Sequence, residues 1–524
     1  TRAEVFATTT TTTTTATTTA MAMAMATATR ARATFPSTAP RRRATTTPRA
    51  SPRASSSPSS SFSVVARGGD GDDVRGRERR AVVATRRAAP VLVASASARG
   101  ARGRRGGAVV AGATSSAGEG GWNVRAALDA GFGSIALLGA TALSLVLANS
   151  AGVSGPYLSL WHAHVGPASL ALNMSVHHWI NEGLMAVFFF AVGLEIKREF
   201  VHGALKSLQQ AALPCIGALG GMIVPMAVYL GCNNPAWSAG AVAAGWAVPM
   251  ATDIAFAMGV YNFFKNKMPA GVAAFLLTLA TVDDLGAIAV IAVCFAKSLA
   301  MNYIAGAALA CGALFVACKK NVTNMAVYGA LGVALWYCLL QGGVNADVAG
   351  VITAFAVPAN APAPAGSTAE PEHAGGEPTL LDHLVHKFAP LSALFIMPMF
   401  ALANTAVPLD ASMVSGVFTE PVGRGIMLGL LLGKPVGIAG LSWIACKMNL
   451  GKLPTGMTTD HLLTVGVLGG IGFTMCLFLV ECCFASNPAA ANVGKLSVLL
   501  SSTLAATLGA AMMARMPDLK AKLA

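Results

Sequence analysis

Two aspartates stand side by side, Asp283 and Asp284, in the stretch LATVDDLGAIAVIAVCF, where nearly every other residue is apolar. Charge in similar surroundings recurs at Glu182, Asp253, Asp347, Lys434 and Glu481. At the centre of a membrane helix each such charge costs about 2.5–3.5 kcal/mol on insertion scales, so these groups face a partner or a cavity. One lysine cannot neutralise two carboxylates, and neighbouring helical residues point about 100° apart. One aspartate can then face a water-filled funnel while the other turns toward a second helix. Carboxylates suit hard, oxygen-seeking cations, and two in proximity titrate as a coupled pair. A site that binds a small cation or protons in competition follows from these types and this spacing. For a lone acid such as Glu182, a buried ion pair that only fixes helix packing accounts for the residue equally well.

The elements that must position these charges are membrane helices. The chain has 524 residues, 54% hydrophobic and 11% charged, with a mean hydropathy of +0.60. Soluble domains carry about 25% charged residues, and a bilayer core of about 30 Å needs about 20 apolar residues per helix. The expected fold is an all-α polytopic membrane protein of about 12 transmembrane helices. Six are read near 131–149, 179–199, 211–231, 241–261, 270–293 and 302–318. Six more follow near 325–340, 344–358, 384–406, 424–445, 462–484 and 491–513. Under this count, fourteen lysines and arginines fall on one side, Lys197, Arg198, Lys265 and Lys319 among them, against Lys297, Arg424 and Lys495 on the other. Positive residues mark the inside, so both termini face the stroma or matrix.

The net charge of +14 has a separate source. Residues 1–110 hold 19 arginines, no lysine and five acids, and the remainder is neutral, so no basic surface for nucleic acid is implied. Thr-, Ser-, Ala- and Arg-rich, this segment cannot bury a core. Residues 1–120 are expected to be a disordered transit peptide and linker, with a chloroplast membrane favoured over the mitochondrial inner membrane. A generic disordered tail, or sequence ahead of a start at Met21, Met23 or Met25, shares that composition. Residues 121–524 are read as the membrane domain, interrupted at 359–380 by a Pro/Ala/Glu-rich loop expected to be disordered. The ten cysteines lie in or beside apolar runs without a CxxC pair, as small buried hydrophobes do.

Two spans carry signs of interruption. In AGWAVPMATDIAFAMGV, Pro249 lacks an amide hydrogen four residues before Asp253. In VGVLGGIGFTMCLFLV, four glycines crowd the first half. Such a pair, the fourth and eleventh spans, suggests broken, crossing helices at an inverted-repeat interface. Asp253 would offset the positive ends exposed there and Lys434 the negative ones.

With LMAVFFFAVGLEIKREF, GGMIVP, GKPVGI and GIGFTMCLFL added, the chain resembles the NhaA family of sodium/proton antiporters from residue 121 to 515. That family is itself a standard example of the inverted-repeat fold. The resemblance implies a secondary antiporter, not an enzyme, that exchanges Na+ or Li+ for H+ by alternating access without a cofactor. It further implies electrogenic, pH-regulated exchange serving organellar pH and sodium balance. Asp283 and Asp284 would form the ion and proton site. Asp284 would be the principal ligand, and Asp283 would alternate between ion or proton binding and a pair with Lys434. Thr252 and Asp253 would serve the broken fourth helix. Glu195, Arg198 and Glu199, with Asp382, His383 and His386, match the pH-sensing entrance; an ordinary interfacial cluster explains those histidines equally well. The stretch between the first two spans would supply the β-hairpin of a homodimer. Departures are Asn345 where bacterial members have His, Asp347 and Glu481 as additional acids, and Glu182 where Asp is usual. The main rival is a sodium-coupled organic-anion symporter on a related fold. An intramembrane aspartyl protease and a non-transporting scaffold are weaker alternatives.

Overall fold

The computed structural model describes residues 131–517, apart from 297–298, 365–366 and 368–377. The expected transit segment 1–120 and the interior of the 359–380 loop lie outside the described residues. The two ends of that loop are held together: Ala363 N donates to Pro378 O and Leu380 N to Ala361 O.

Ten helices are long and apolar enough to cross a membrane, and the bent pair Thr459–Gly469 and Phe473–Cys483 makes an eleventh. All correspond to expected spans. The eighth differs, because only Val348–Ala356 is helical and the chain enters it through a turn at Gly343–Asp347. Nine residues rise about 14 Å. Its lower end is capped by the Lys197 ammonium, which donates to Phe355 O at 2.7 Å and to Val357 O.

The third to fifth spans and the tenth to twelfth form two triplets, each with a broken middle member. The triplets are seven elements apart in the order of spans, the short eighth helix included. The fourth span is a 3-10 helix over Ala243–Met250, an extended link, then an α-helix over Ile254–Phe263. The eleventh bends by 44° at Gly470–Gly472. The two breaks touch: Asp253 N donates to Ile471 O at 2.7 Å.

In lipid, close packing rather than exclusion from water holds helices together, so small residues mark the tightest contacts. A Cβ added to Gly220 would lie 2.1 Å from Gly437 O, and one added to Gly437 would lie 2.1 Å from Gly220 O. The third and tenth spans therefore meet backbone to backbone. Lys434, three residues before Gly437 and on the same helical face, is carried by this contact toward the breaks. A π-helical turn, Gly429–Gly433, immediately precedes it. The apolar interior falls into two clusters that meet along the second span, whose Phe188 and Phe189 join one and Leu194 the other. Leu309, Phe315 and Val333 of the sixth and seventh spans are largely exposed, as a lipid-facing surface requires.

Between the first two spans, His164–Val165 and Met174–Ser175 pair as an antiparallel hairpin, with His164 opposite Ser175.

Candidate functional site

The breaks leave backbone groups unpaired in the middle of the protein, and side chains answer them by sign. Met250 O ends the first half of the fourth span and accepts from Lys434 Nζ at 2.6 Å. Gly469 O ends the first half of the eleventh and lies 2.9 Å from Thr252 Oγ1. The second halves begin with exposed N–H groups, and one carboxylate serves both. Asp253 Oδ1 accepts from Phe256 N at 2.9 Å, and Oδ2 accepts from Thr474 N at 3.1 Å and from Thr474 Oγ1 at 2.5 Å. A helix N-terminus carries roughly half a positive charge, so two of them balance about one carboxylate.

Lys434 is fully buried and forms an ion pair of 2.6 Å with Asp283 Oδ2, itself fully buried. Its ammonium also donates to Thr252 Oγ1 at 3.0 Å. That hydroxyl has one proton, so it donates to either Asp283 Oδ2 at 2.9 Å or Gly469 O, not both at once. Asp283, Thr252 and Lys434 thus form one network that ties the fifth, fourth, tenth and eleventh spans.

Asp284 is left over. It is 2% exposed, and its Oδ1 is buried with no hydrogen-bond partner among the described residues. Asp283 has taken Lys434 and Asp253 has taken the helix ends. The remaining charged groups felt at Asp284 include Glu195, a like charge. A buried carboxylate whose oxygen has no hydrogen-bond partner is costly to keep charged.

A model of the family described as Na+/H+ antiporter 1 matches residues 126–513. The chain belongs to that family. Its relatives include the Na+/H+ antiporter NhaA of Vibrio cholerae, 40% identical over 378 residues, covering 72% of this chain and 93% of that protein. The Na+/H+ antiporter NhaA 1 of Clostridium beijerinckii is 40% identical, covering 72% of this chain and 91% of that one. NhaA of Shewanella loihica is 41% identical, covering 72% and 93%.

Of the other residues singled out from the sequence, Glu195 is close enough to act on Asp284 electrostatically, and the rest lie farther along their helices. Glu195, Arg198 and Glu199 occupy the basic-side end of the second span, with Glu199 buried and packed over Gly203. Asp382 caps its own helix: Oδ2 accepts from Thr379 N at 3.1 Å and Thr379 Oγ1 at 2.8 Å. His383 Nδ1 meets Ser367 Oγ at 2.8 Å, and His386 is half-buried. The helix Leu380–Leu391 that carries them packs on Met185–Val201, so the two groups sit on touching helices.

Several partners in this family member went unread in the sequence. Thr474, Ser502, which accepts from Phe473 N at 3.1 Å, and the carbonyls of Met250 and Gly469 all serve the breaks. Glu481 pairs with Lys495 and lies 3.9 Å from His177 Nε2. Thr474, two residues after GIG, was the one available signal, since Thr is common where a helix restarts.

Proposed function

We propose that this chain exchanges Na+, or Li+, for protons across its membrane by alternating access. The observation that carries the reading is the unequal treatment of the two adjacent aspartates. Asp283 is neutralised by Lys434, whereas the Asp284 carboxylate points to no positive partner among the described residues. Asp284 then holds a proton in one state and the cation in the other. When the cation arrives, Asp283 leaves Lys434 and supplies a second oxygen ligand, with Thr252 bridging the exchange. Carboxylate and hydroxyl oxygens are the donors a hard monovalent ion takes. Asp284 releases one proton and the Lys434 ammonium, once Asp283 has left it, releases a second, so two protons leave for each cation and net charge moves. Lys434 is already committed to Asp283 and Met250 O, which leaves it unavailable to an organic anion and disfavours the symporter.

The acidic and histidine groups on the second and ninth spans, Glu195, Arg198, Glu199, Asp382, His383 and His386, are the pH-responsive entrance in this reading. The hairpin at His164–Ser175 exposes Val165 and Leu170 and is the contact surface of a homodimer. The Arg-, Ser- and Thr-rich composition of residues 1–110 supports an organellar membrane, chloroplast over mitochondrial, where the exchange would balance pH and sodium.

The test uses the full chain in proteoliposomes under an imposed proton gradient, followed with an acid-sensitive dye. Collapse of the gradient on adding sodium or lithium, absent in Asp284→Asn, is the expected result. No collapse between about pH 6.5 and about pH 9, where carboxylates and histidines titrate in proteins, overturns it.

A further inference from the structure

A second pair of acids, half-buried Glu182 and buried Asp347, lies on the side of the membrane away from the basic loops. Glu182 is in the outer part of the second span, on a π-helical turn, Trp179–Leu184. Such turns open the helix locally and recur at functional sites. Trp336 Nε1 donates to the Glu182 carbonyl at 2.8 Å and fixes the turn. Its carboxylate reaches across to the eighth span, where Oε2 accepts from Ala346 N at 3.3 Å. The next residue is Asp347, 2% exposed, whose Oδ1 is buried without a hydrogen-bond partner among the described residues. Two carboxylates from different spans are thereby held on adjoining backbone. The nearby Glu481 does not compete, since it has Lys495.

Beside them is a cavity of about 90 Å³ lined by His178, Glu182, Leu340, Gly343, Val344 and Asn345. A water's share of liquid volume is about 30 Å³, so a cation with part of its hydration shell fits. The cavity also touches the fifth span. Asn345 Nδ2 donates to Ile291 O at 3.4 Å. Ile291 is two helical turns, about 10 Å, beyond Asp284 on the same face of the fifth span. The turn at Gly343–Asp347 is where a full-length helix would otherwise stand, and its shortness is what brings Asp347 inward.

We infer that Glu182 and Asp347 form a second binding site for a monovalent cation, with Asn345 beside it, on the outer side of the membrane. The buried Asp347 carboxylate has no hydrogen-bond partner at Oδ1 among the described residues and stands beside a second carboxylate, and oxygen donors of this kind select a hard cation. His178 lines the same cavity. The site stands on its own residues and does not depend on how Asp283 and Asp284 share the transported ion.

The experiment measures saturable binding of radioactive sodium to purified full-length protein in lipid nanodiscs at alkaline pH. The background is Asp284→Asn, in which the central site is already disabled. Saturable sodium binding is expected to survive there, and Glu182→Gln or Asp347→Asn added to it weakens that binding at least about tenfold, or 1.4 kcal/mol. Asp347→Thr gives the same reading should Asn disturb the turn, and the size-exclusion profile checks folding. Loss of all saturable binding in Asp284→Asn alone overturns the proposal. So does undiminished binding in the further variants. Failure of sodium to collapse a proton gradient in the unmutated chain would instead count against the antiport reading and leave this measurement intact.

Discussion

Lys434 and Asp283 form a 2.6 Å ion pair in which both side chains are wholly buried, 151 residues apart in the chain. Removing one member of such a pair strands a charge in a low-dielectric interior, at a cost of about 3–5 kcal/mol, whereas replacing both is far milder. Lys434→Ala should therefore lower the thermal stability of the protein in nanodiscs markedly, and Asp283→Asn with Lys434→Met should recover most of the loss. A double-mutant cycle isolates the coupling. Equal stability of the single and double variants would mean that the pair does not hold the spans together.

Asp284 should behave in the opposite way. Asn in its place removes a charge that has no partner among the described residues, so stability stays level or rises. Exchange, however, should fall at least about 100-fold, since the proposed cycle has this group alternate between proton and cation; that is about 2.7 kcal/mol in rate terms. Dye-monitored exchange and thermal unfolding on the same preparation separate the two effects. A variant that unfolds early and loses transport in proportion would assign Asp284 a structural role.

Competition at one carboxylate fixes the sign of the pH response. Below the pH at which Asp284 loses its proton, cation and proton contend for the same oxygens. The apparent KM for sodium then rises as the pH falls, about tenfold per unit for each proton displaced, while the maximal rate at saturating sodium is preserved. Initial rates over a sodium series at several pH values read this directly. A KM independent of pH would place the proton elsewhere.

What the sequence disclosed was charge in the wrong solvent. Asp283, Asp284, Asp253 and Lys434 announce themselves because a carboxylate or ammonium among leucines has few harmless explanations. Pro249 and the run of glycines around Gly470 showed where regular hydrogen bonding fails. The assignment of partners was not legible, because the groups that answer the breaks are largely backbone. Met250 O and Gly469 O carry no side-chain signature, and Thr474 is an ordinary residue in a membrane helix. The short eighth helix was hidden for a similar reason: GVNADVAGVITAFAV is apolar enough to read as a span, and only packing shows that its first residues turn. Gly350 explains why the remainder sits so close to the second span, since a Cβ there would fall 2.1 Å from Ala186 O.

The double cap at Asp253 yields the last prediction. Its two oxygens accept from the N-terminal turns of two helices, Ile254–Phe263 and Phe473–Cys483, so both need to be acceptors. Asparagine has one oxygen and one NH2, and can satisfy only one helix while presenting donors to the other. Asp253→Asn should cost about 2–4 kcal/mol, combining a lost cap, a lost dipole interaction and an unpaired buried N–H. Thr474→Val removes only the hydroxyl bond and keeps the backbone one, so about 1 kcal/mol is expected. Because the same carboxylate clamps the two breaks beside Thr252, Asp253→Asn should also slow exchange, and more than its stability loss alone requires once assayed well below its melting temperature. Equal tolerance of Asp253→Asn and Thr474→Val would show that one helix end, not two, depends on this carboxylate.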